Sequence, residues 1–249
     1  MQGNAGHSLR RENGSFLFWR DQQTKVNSRP EVPFEYILFD LDETLYPREA
    51  GLMEAIHQRM LFYMIQKAGI PPDDVLVKQR AYYQKYGTTL RGLMNEHNID
   101  PLDYLEFVHN INPRDFLGIS PPLADMLAEM PLHKVVFTNS YAAHAERVLD
   151  ALQVRSHFEQ IIDVCSLDYV CKPDPLAYQK VLALLGVPGK RCIIVDDAPR
   201  NLIPAKDMGM TTILVAGDKT SCAIDYAVPT IFHVERVLEN LLPYGRNLL

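Results

Sequence analysis

The chain has 249 residues, 47% of them apolar, with a formal charge of −6, enough for one large domain or for a core with an insert. Without a basic excess it has nothing to neutralise a run of phosphates, which argues against nucleic acid as a partner. No apolar run approaches the roughly 18 residues of a membrane span, and Cys165, Cys171, Cys192 and Cys222 form no C-x-x-C pair. They read as reduced thiols of a cytoplasmic protein.

Residues 1–33 differ from the rest, being more basic than acidic and rich in Gly, Asn, Ser and Gln, with one apolar cluster at Phe16-Leu17-Phe18-Trp19. That cluster is too short for a secretory signal, so a disordered extension is expected. A segment that meets a partner or a membrane surface is the alternative.

Tyr36-Ile37-Leu38-Phe39 then runs straight into Asp40-Leu41-Asp42-Glu43-Thr44. An apolar run this short, ended by carboxylates, reads as a strand buried on both faces, and the carboxyl end of such a strand is where an open α/β sheet places its site. On an extended chain Asp40 and Asp42 point the same way, and repel unless a cation or a shared proton lies between them. The plain alternative is a strand end with solvated acids and Thr44 capping a turn.

From Pro47 to about Asn112 the period becomes helical. Leu52, Ile56, Met60 and Tyr63 or Met64 form one stripe between Gly51 and Gly69. Gly69-Ile70-Pro71-Pro72 breaks it, and Asp73 is the expected cap of a second helix ending at Gly87. Further helical stretches are expected over 88–97 and 100–110, the latter opened by Asp100-Pro101. Strand and helix alternate afterwards: strands at 133–138, 161–164, 192–195 and 211–215, an edge strand at 230–233, and helices at 142–152, 175–185 and 234–242. Such alternation means a parallel sheet covered by helices on both faces, an α/β doubly wound fold.

Chemistry-bearing residues collect where the strands end. Thr138-Asn139 follows one, Asp196-Asp197 another, and Lys172-Pro173 lies in a loop between them. Each has an ordinary explanation as a helix cap, a turn or a solvated lysine. Their coincidence on one sheet edge with Asp40 and Asp42 is much harder to explain that way.

In this order, Asp40-x-Asp42-x-Thr44, Thr138-Asn139, Lys172-Pro173 and Asp196-Asp197 resemble the motifs of the haloacid dehalogenase (HAD) superfamily. The resemblance implies a Rossmann-like core over 34–47 and 113–249 and a small all-helical cap over 48–112, inserted after the first strand. Within the superfamily the chain looks most like the pyrimidine 5′-nucleotidase group, through FDLDETLYP, the cap stretch Tyr82 to His109, FTNSYAAHAERVLDAL and VCKPDPLAY followed by IIVDDAPRNL.

The resemblance implies a Mg²⁺-dependent phosphomonoesterase acting through an aspartyl-phosphate. Asp40 is then the nucleophile, and Asp42 protonates the leaving alkoxide before deprotonating water, which requires Asp42 to be protonated when substrate is bound. The metal falls to Asp40, the backbone carbonyl of Asp42, Asp197 and, directly or through water, Asp196. The phosphate falls to Lys172, the Thr138 hydroxyl and backbone N–H groups at Leu41, Asp42 and Asn139. Asn201 stands where many relatives carry another acid.

Arg91, with Tyr82, Tyr83 and Tyr86, is the expected contact for a nucleobase and sugar. A cap core of tyrosines and a surface salt bridge are the alternatives. His57, His97 and His109 lack metal-like spacing and receive no role. The implied partner is a small-molecule phosphomonoester, a nucleoside monophosphate above others, and the chain is expected to be a monomer or homodimer. Three other readings stay open: a phosphatase of sugar phosphates, lysophospholipids or glycerol phosphates, a phosphotransferase or mutase, and a non-catalytic binding protein.

Overall fold

Ile37, Leu38 and Phe39 are completely buried, as an uninterrupted apolar run requires of a strand covered on both faces. In the computed structural model, which describes residues 34–218 and 221–242, they belong to β1 (Tyr36–Phe39). The N-terminal extension expected over 1–33 lies outside the described residues.

Four helices follow with no strand between them: α1 (Leu52–Gln66), α2 (Val75–Tyr86), α3 (Thr89–His97) and α4 (Pro101–Val108). Thr88 caps α3 by accepting from the Arg91 N–H, and Asp100 caps α4 by accepting from Leu102 and Asp103. Asp73 does not cap α2. The Asp74 N–H closes a turn on the Pro71 carbonyl, and the helix starts one residue beyond it, at Val75, with no side-chain cap. Gly92 allows α2 and α3 to touch, since a Cβ there would sit 2.3 Å from Cγ of Tyr82.

The remaining elements are α5 (Pro121–Glu129), β2 (His133–Phe137), α6 (Ala142–Leu152), β3 (Gln160–Ile162), α7 (Pro175–Leu185), β4 (Cys192–Asp196), α8 (Pro199–Asp207), β5 (Thr211–Val215), β6 (Tyr226–Val228) and α9 (Val234–Leu241). The six strands are parallel, in the order β3-β2-β1-β4-β5-β6. The fold is therefore α/β and Rossmann-like, as expected. Alternate strand residues feed two apolar layers. Ile37, Phe39, Val136, Ile193 and Val195 join one that extends into α1–α4, and Leu38, Val135, Phe137 and Ile194 join one with residues of α7 and α8.

Residues 230–233 are not a strand. Ile231–His233 is a short 3₁₀ turn, with the Thr230 hydroxyl bonded to His233 Nδ1 at 2.9 Å, a local bond that competes with ladder pairing. The edge position is taken by β6 instead. The third strand also stops before Asp163, whose carboxylate accepts from the backbone of Ala142 and Ser166. Among the described residues no helix is long and apolar enough to cross a membrane.

The chain winds outward from β1 to β3, then returns beside β1 and winds the other way to β6. The crevice where the winding reverses lies beyond the carboxyl ends of β1 and β4, the place where such sheets bind ligands. Asp40 and Asp196 stand there.

Candidate active site

Lys172 is the hub of the strand-end cluster. It is 1% exposed, and its Nζ donates to Asp40 Oδ1 at 2.8 Å and to Asp196 Oδ2 at 2.7 Å. Burial alone would lower a lysine; the two carboxylates raise this one above its ordinary value. Asn139 fixes the lysine from behind, its side chain accepting from the Lys172 N–H at 2.7 Å and donating to the Lys172 carbonyl at 2.9 Å.

Asp40, Asp196 and Asp197 present carboxylate oxygens within 4.8 Å of one another. Both oxygens of Asp196 are spent: Oδ1 accepts from Ala198 N–H and Asn201, and Oδ2 from Lys172 and Asn201. Asn201 thus serves Asp196 as a donor where an acid would repel it. Asp40 Oδ2 and Asp197 Oδ1 share the Thr44 hydroxyl, each at 3.3 Å, and keep lone pairs to offer. Burial, then the other carboxylates, push Asp40 well above the usual range against the pull of Lys172. Burial and Asp196 push Asp197 up to about 7. Hard oxygens under mutual repulsion suit a hard divalent cation, with Asp40 and Asp197 the better ligands and Asp196 a support.

Asp42 faces elsewhere. Its Oδ1 accepts from Tyr46 at 2.7 Å and bonds His144 Nε2 at 3.0 Å, and its Oδ2 accepts from Ser140. Among the described residues Asp40 and Asp42 share no hydrogen-bond partner, because β1 ends at Phe39 and the chain turns before Asp42, so extended-chain alternation no longer holds. A neighbouring acid does not keep Asp42 protonated either. Burial favours its neutral form, but His144, Ser140 and Tyr46 outweigh burial and hold it below the usual carboxylate range.

His109 stacks on His144 with ring centroids 4.5 Å apart, and burial beside that ring pushes it down to about 3. Sequence reasoning missed His144, Ser140 and Tyr46 as partners of Asp42. The available signal was position: Ser140 and His144 fall between the end of β2 and the first turn of α6.

Thr138, 2% exposed, accepts from the Ser140 N–H at 2.9 Å. The Asp40 N–H donates to the Val195 carbonyl. By contrast, the N–H groups of Leu41, Asp42 and Asn139 have no acceptor among the described residues. These unpaired donors sit just past the ends of β1 and β2.

A cavity of about 510 Å³ has Asp40, Asp42, Thr138, Asn139 and Asp197 along its lining and reaches helices α1, α2, α3 and α4. Arg91 is not part of it. Its guanidinium pairs with Asp174 at 2.9 Å in a separate cleft lined also by Lys85 and Arg200, because Thr88 starts α3 so that Arg91 faces the loop before α7. Arg80, Gln79 and His57 line the main cavity instead.

The tyrosines divide. Tyr82 is buried against Gly92 and bonded to His97 at 2.8 Å, and Tyr86 donates to Glu96 at 2.9 Å near the surface. Tyr83 lines the cavity, with Arg200 over its ring at 4.1 Å.

Phosphate metabolism protein 8 of Saccharomyces cerevisiae is 27% identical over 201 residues, 74% of this chain and 62% of the yeast protein. The chain therefore spans less than two thirds of that relative. Bifunctional epoxide hydrolase 2 of Rattus norvegicus is 40% identical over 63 residues, 25% of this chain and 11% of its own. Among solved structures, an HAD phosphatase from Thermococcus onnurineus superposes with a TM-score of 0.56 at 19% identity, covering 83% of this chain and 98% of that one. L-2-haloacid dehalogenase from Xanthobacter autotrophicus gives 0.54 at 17% identity, covering 82% and 98%. At these identities the structural likeness is one of fold. The family model of haloacid dehalogenase-like hydrolases matches residues 34–209, from β1 and its carboxylates through α8, and the chain belongs to that family of hydrolases.

Proposed function

We propose that the protein is a Mg²⁺-dependent phosphomonoesterase that works through a phosphorylated Asp40, with pyrimidine nucleoside 5′-monophosphates such as UMP and CMP as its substrates. The observation that carries this reading is Asp40 held by the buried Lys172 at 2.8 Å beside the N–H groups of Leu41, Asp42 and Asn139, which have no acceptor among the described residues. A phosphomonoester dianion repels an anionic nucleophile, so fixed positive charge and preoriented donors must offset it. Lys172, the Thr138 O–H and the N–H groups of Leu41, Asp42 and Asn139 supply them.

A Mg²⁺ ion bound by Asp40 and Asp197, with the Asp42 carbonyl, would add charge neutralisation at the transferring group. Asp40 attacks phosphorus and the ester oxygen leaves, taking its proton from Asp42; Asp42 then removes a proton from the water that frees Asp40. The phosphate dianion beside Asp42 opposes its ionisation, and for Asp42 to carry the first proton that repulsion must outweigh His144, Ser140 and Tyr46. A halide leaving group needs no such proton, so Asp42 argues against dehalogenation. Residues 48–112 act as the cap, and their resemblance to pyrimidine 5′-nucleotidases supports the nucleotide assignment.

Phosphate release from UMP, CMP, AMP, GMP, sugar phosphates and glycerol phosphates, measured with Mg²⁺, tests both levels. Preference for UMP and CMP is expected. Broad or sugar-directed release would retain the mechanism and sink the pyrimidine assignment, and no release from any ester would sink both.

Metal binding should also depend on pH. A carboxyl raised in the folded protein stabilises it below the unfolded value and loses that stability as pH rises through the folded one; for Asp197 the folded value is about 7. Mg²⁺ binds the ionised form and offsets that loss, so its effect must grow with pH. Between about pH 8 and about pH 6 apparent Mg²⁺ affinity should fall roughly tenfold per titrating carboxyl. A Mg²⁺-induced shift in Tm that is equal at both pH values would contradict this.

A further inference from the structure

Asp42 is held unevenly. Two donors converge on its Oδ1, the Tyr46 hydroxyl at 2.7 Å and His144 Nε2 at 3.0 Å, while among the described residues Oδ2 has the Ser140 hydroxyl alone. An ionised carboxylate only accepts, so Nε2 carries the hydrogen of its bond. The two oxygens also differ in what surrounds them. Ser140 lines the cavity, whereas Tyr46 and His144, 2% and 0% exposed, do not.

His144 spends its polarity on this one contact. Its Nδ1 is buried with no partner among the described residues, a cost that an apolar side chain filling the same space would avoid. The ring is braced as well. His109, which follows α4, stacks on it with centroids 4.5 Å apart at 26°. His109 is fixed in turn, its Nδ1 donating to the Leu105 carbonyl at 2.9 Å and its own carbonyl accepting from Arg147 at 2.6 Å.

We propose that His144 and Tyr46 are positioning residues that clamp Oδ1 of Asp42 on the side away from the cavity, so that Oδ2 is the oxygen that exchanges the proton. In the first step an Asp40 oxygen bonds phosphorus, the ester P–O bond breaks, and the Oδ2 proton passes to the leaving oxygen. In the second, water bonds phosphorus, the bond from Asp40 to phosphorus breaks, and a water proton goes to Oδ2. A proton on Oδ1 would displace one of two donors and face away from the substrate. Without the clamp the carboxyl is free to turn, and misplacing a reacting group by about 1 Å costs up to about a hundredfold. This inference rests on the phosphomonoesterase reading above and names the atom and the positioning contacts that the reading leaves open.

The test uses the full chain with Mg²⁺, as wild type, His144→Leu, His144→Gln and Tyr46→Phe. It compares kcat/KM for the alkyl ester that the wild type hydrolyses fastest with that for p-nitrophenyl phosphate, whose leaving group departs without a proton. Because kcat/KM extends only to departure of the leaving group, the later attack of water does not enter. His144→Leu and Tyr46→Phe should each lower the alkyl-to-nitrophenyl ratio roughly tenfold, part of the about 10²–10⁴ that general acid–base catalysis contributes. His144→Gln, with an amide nitrogen at the same ε position of the side chain, should restore most of it. Losing a donor also eases protonation of Asp42, which alone would raise the ratio, so the direction of change separates aim from charge. A ratio that rises or stays level, both esters falling alike, or glutamine as poor as leucine would each overturn the proposal.

The contact is read separately, without turnover, from the low-field imidazole N–H proton resonance of His144, identified by its loss in His144→Gln. It should move upfield in Asp42→Asn, where a neutral amide replaces the carboxylate, and no movement would overturn the clamp. If the wild type releases phosphate from no ester, the phosphomonoesterase reading falls and the proton route with it, while a shifted resonance would keep the clamp.

Discussion

Asp40→Asn should reduce phosphate release by about four orders of magnitude or more, the scale of losing a nucleophile, while the protein stays folded. The amide keeps the shape of the carboxylate and can still accept from Lys172, but it cannot form the acyl phosphate. Stability should not fall. The ionised form of Asp40 is disfavoured by burial and by Asp196 and Asp197, so a neutral isostere removes repulsion while Lys172 keeps Asp196 at 2.7 Å. Without Mg²⁺ the variant's Tm should therefore equal or exceed that of the wild type, and Mg²⁺ should raise it less. Steady-state phosphate release beside thermal denaturation reads both quantities. Activity within tenfold of the wild type would remove Asp40 from the nucleophile's role.

Lys172→Met should damage both activity and fold. Lys172 is 1% exposed and neutralises two buried carboxylates, so the variant leaves both without their cation. Breaking a buried pair by removing one partner costs about 3–5 kcal/mol, or roughly 6–20 °C in Tm for a domain of this size. The uncompensated carboxyls then favour protonation, so part of the loss should return as pH falls. Activity should drop about a thousandfold, as when an electrostatic donor is lost from a transition state. The Arg91–Asp174 pair has side chains 29% and 34% exposed and belongs to the class worth about 1 kcal/mol or less. A Tm unchanged in Lys172→Met would mean that the buried cluster is not held together by this cation.

Both outcomes turn on contacts that no local pattern specifies. Thr44 meets Asp197 across 153 residues of chain, Lys172 meets Asp40 across 132 and His144 meets Asp42 across 102. Arg91 shows the same dependence in the other direction. Its neighbours in sequence are cap residues beside the site, but the start of α3 sends its guanidinium to Asp174, while Arg80 and Tyr104 line the cavity.

What the sequence determined by itself was local or periodic. The apolar run Tyr36–Phe39 specified a strand buried on both faces, the stripe beginning at Leu52 a helix, and the later alternation of strand and helix a parallel sheet. A parallel sheet in turn brings strand ends to one edge, which is why Asp40, Thr138 and Asp196 could be grouped without coordinates. Which carboxylate received which partner was decided only by the tertiary structure. The strand order put β4 beside β1 and so brought Asp196 and Asp197 up to Asp40. The turn after Phe39 sent Asp42 toward α6, where His144, Ser140 and Tyr46 outweigh burial and lower its pKa, while burial raises that of Asp40. Hydrogen bonding and desolvation depend on atoms brought together from distant parts of the chain, and local periodicity carries no record of them.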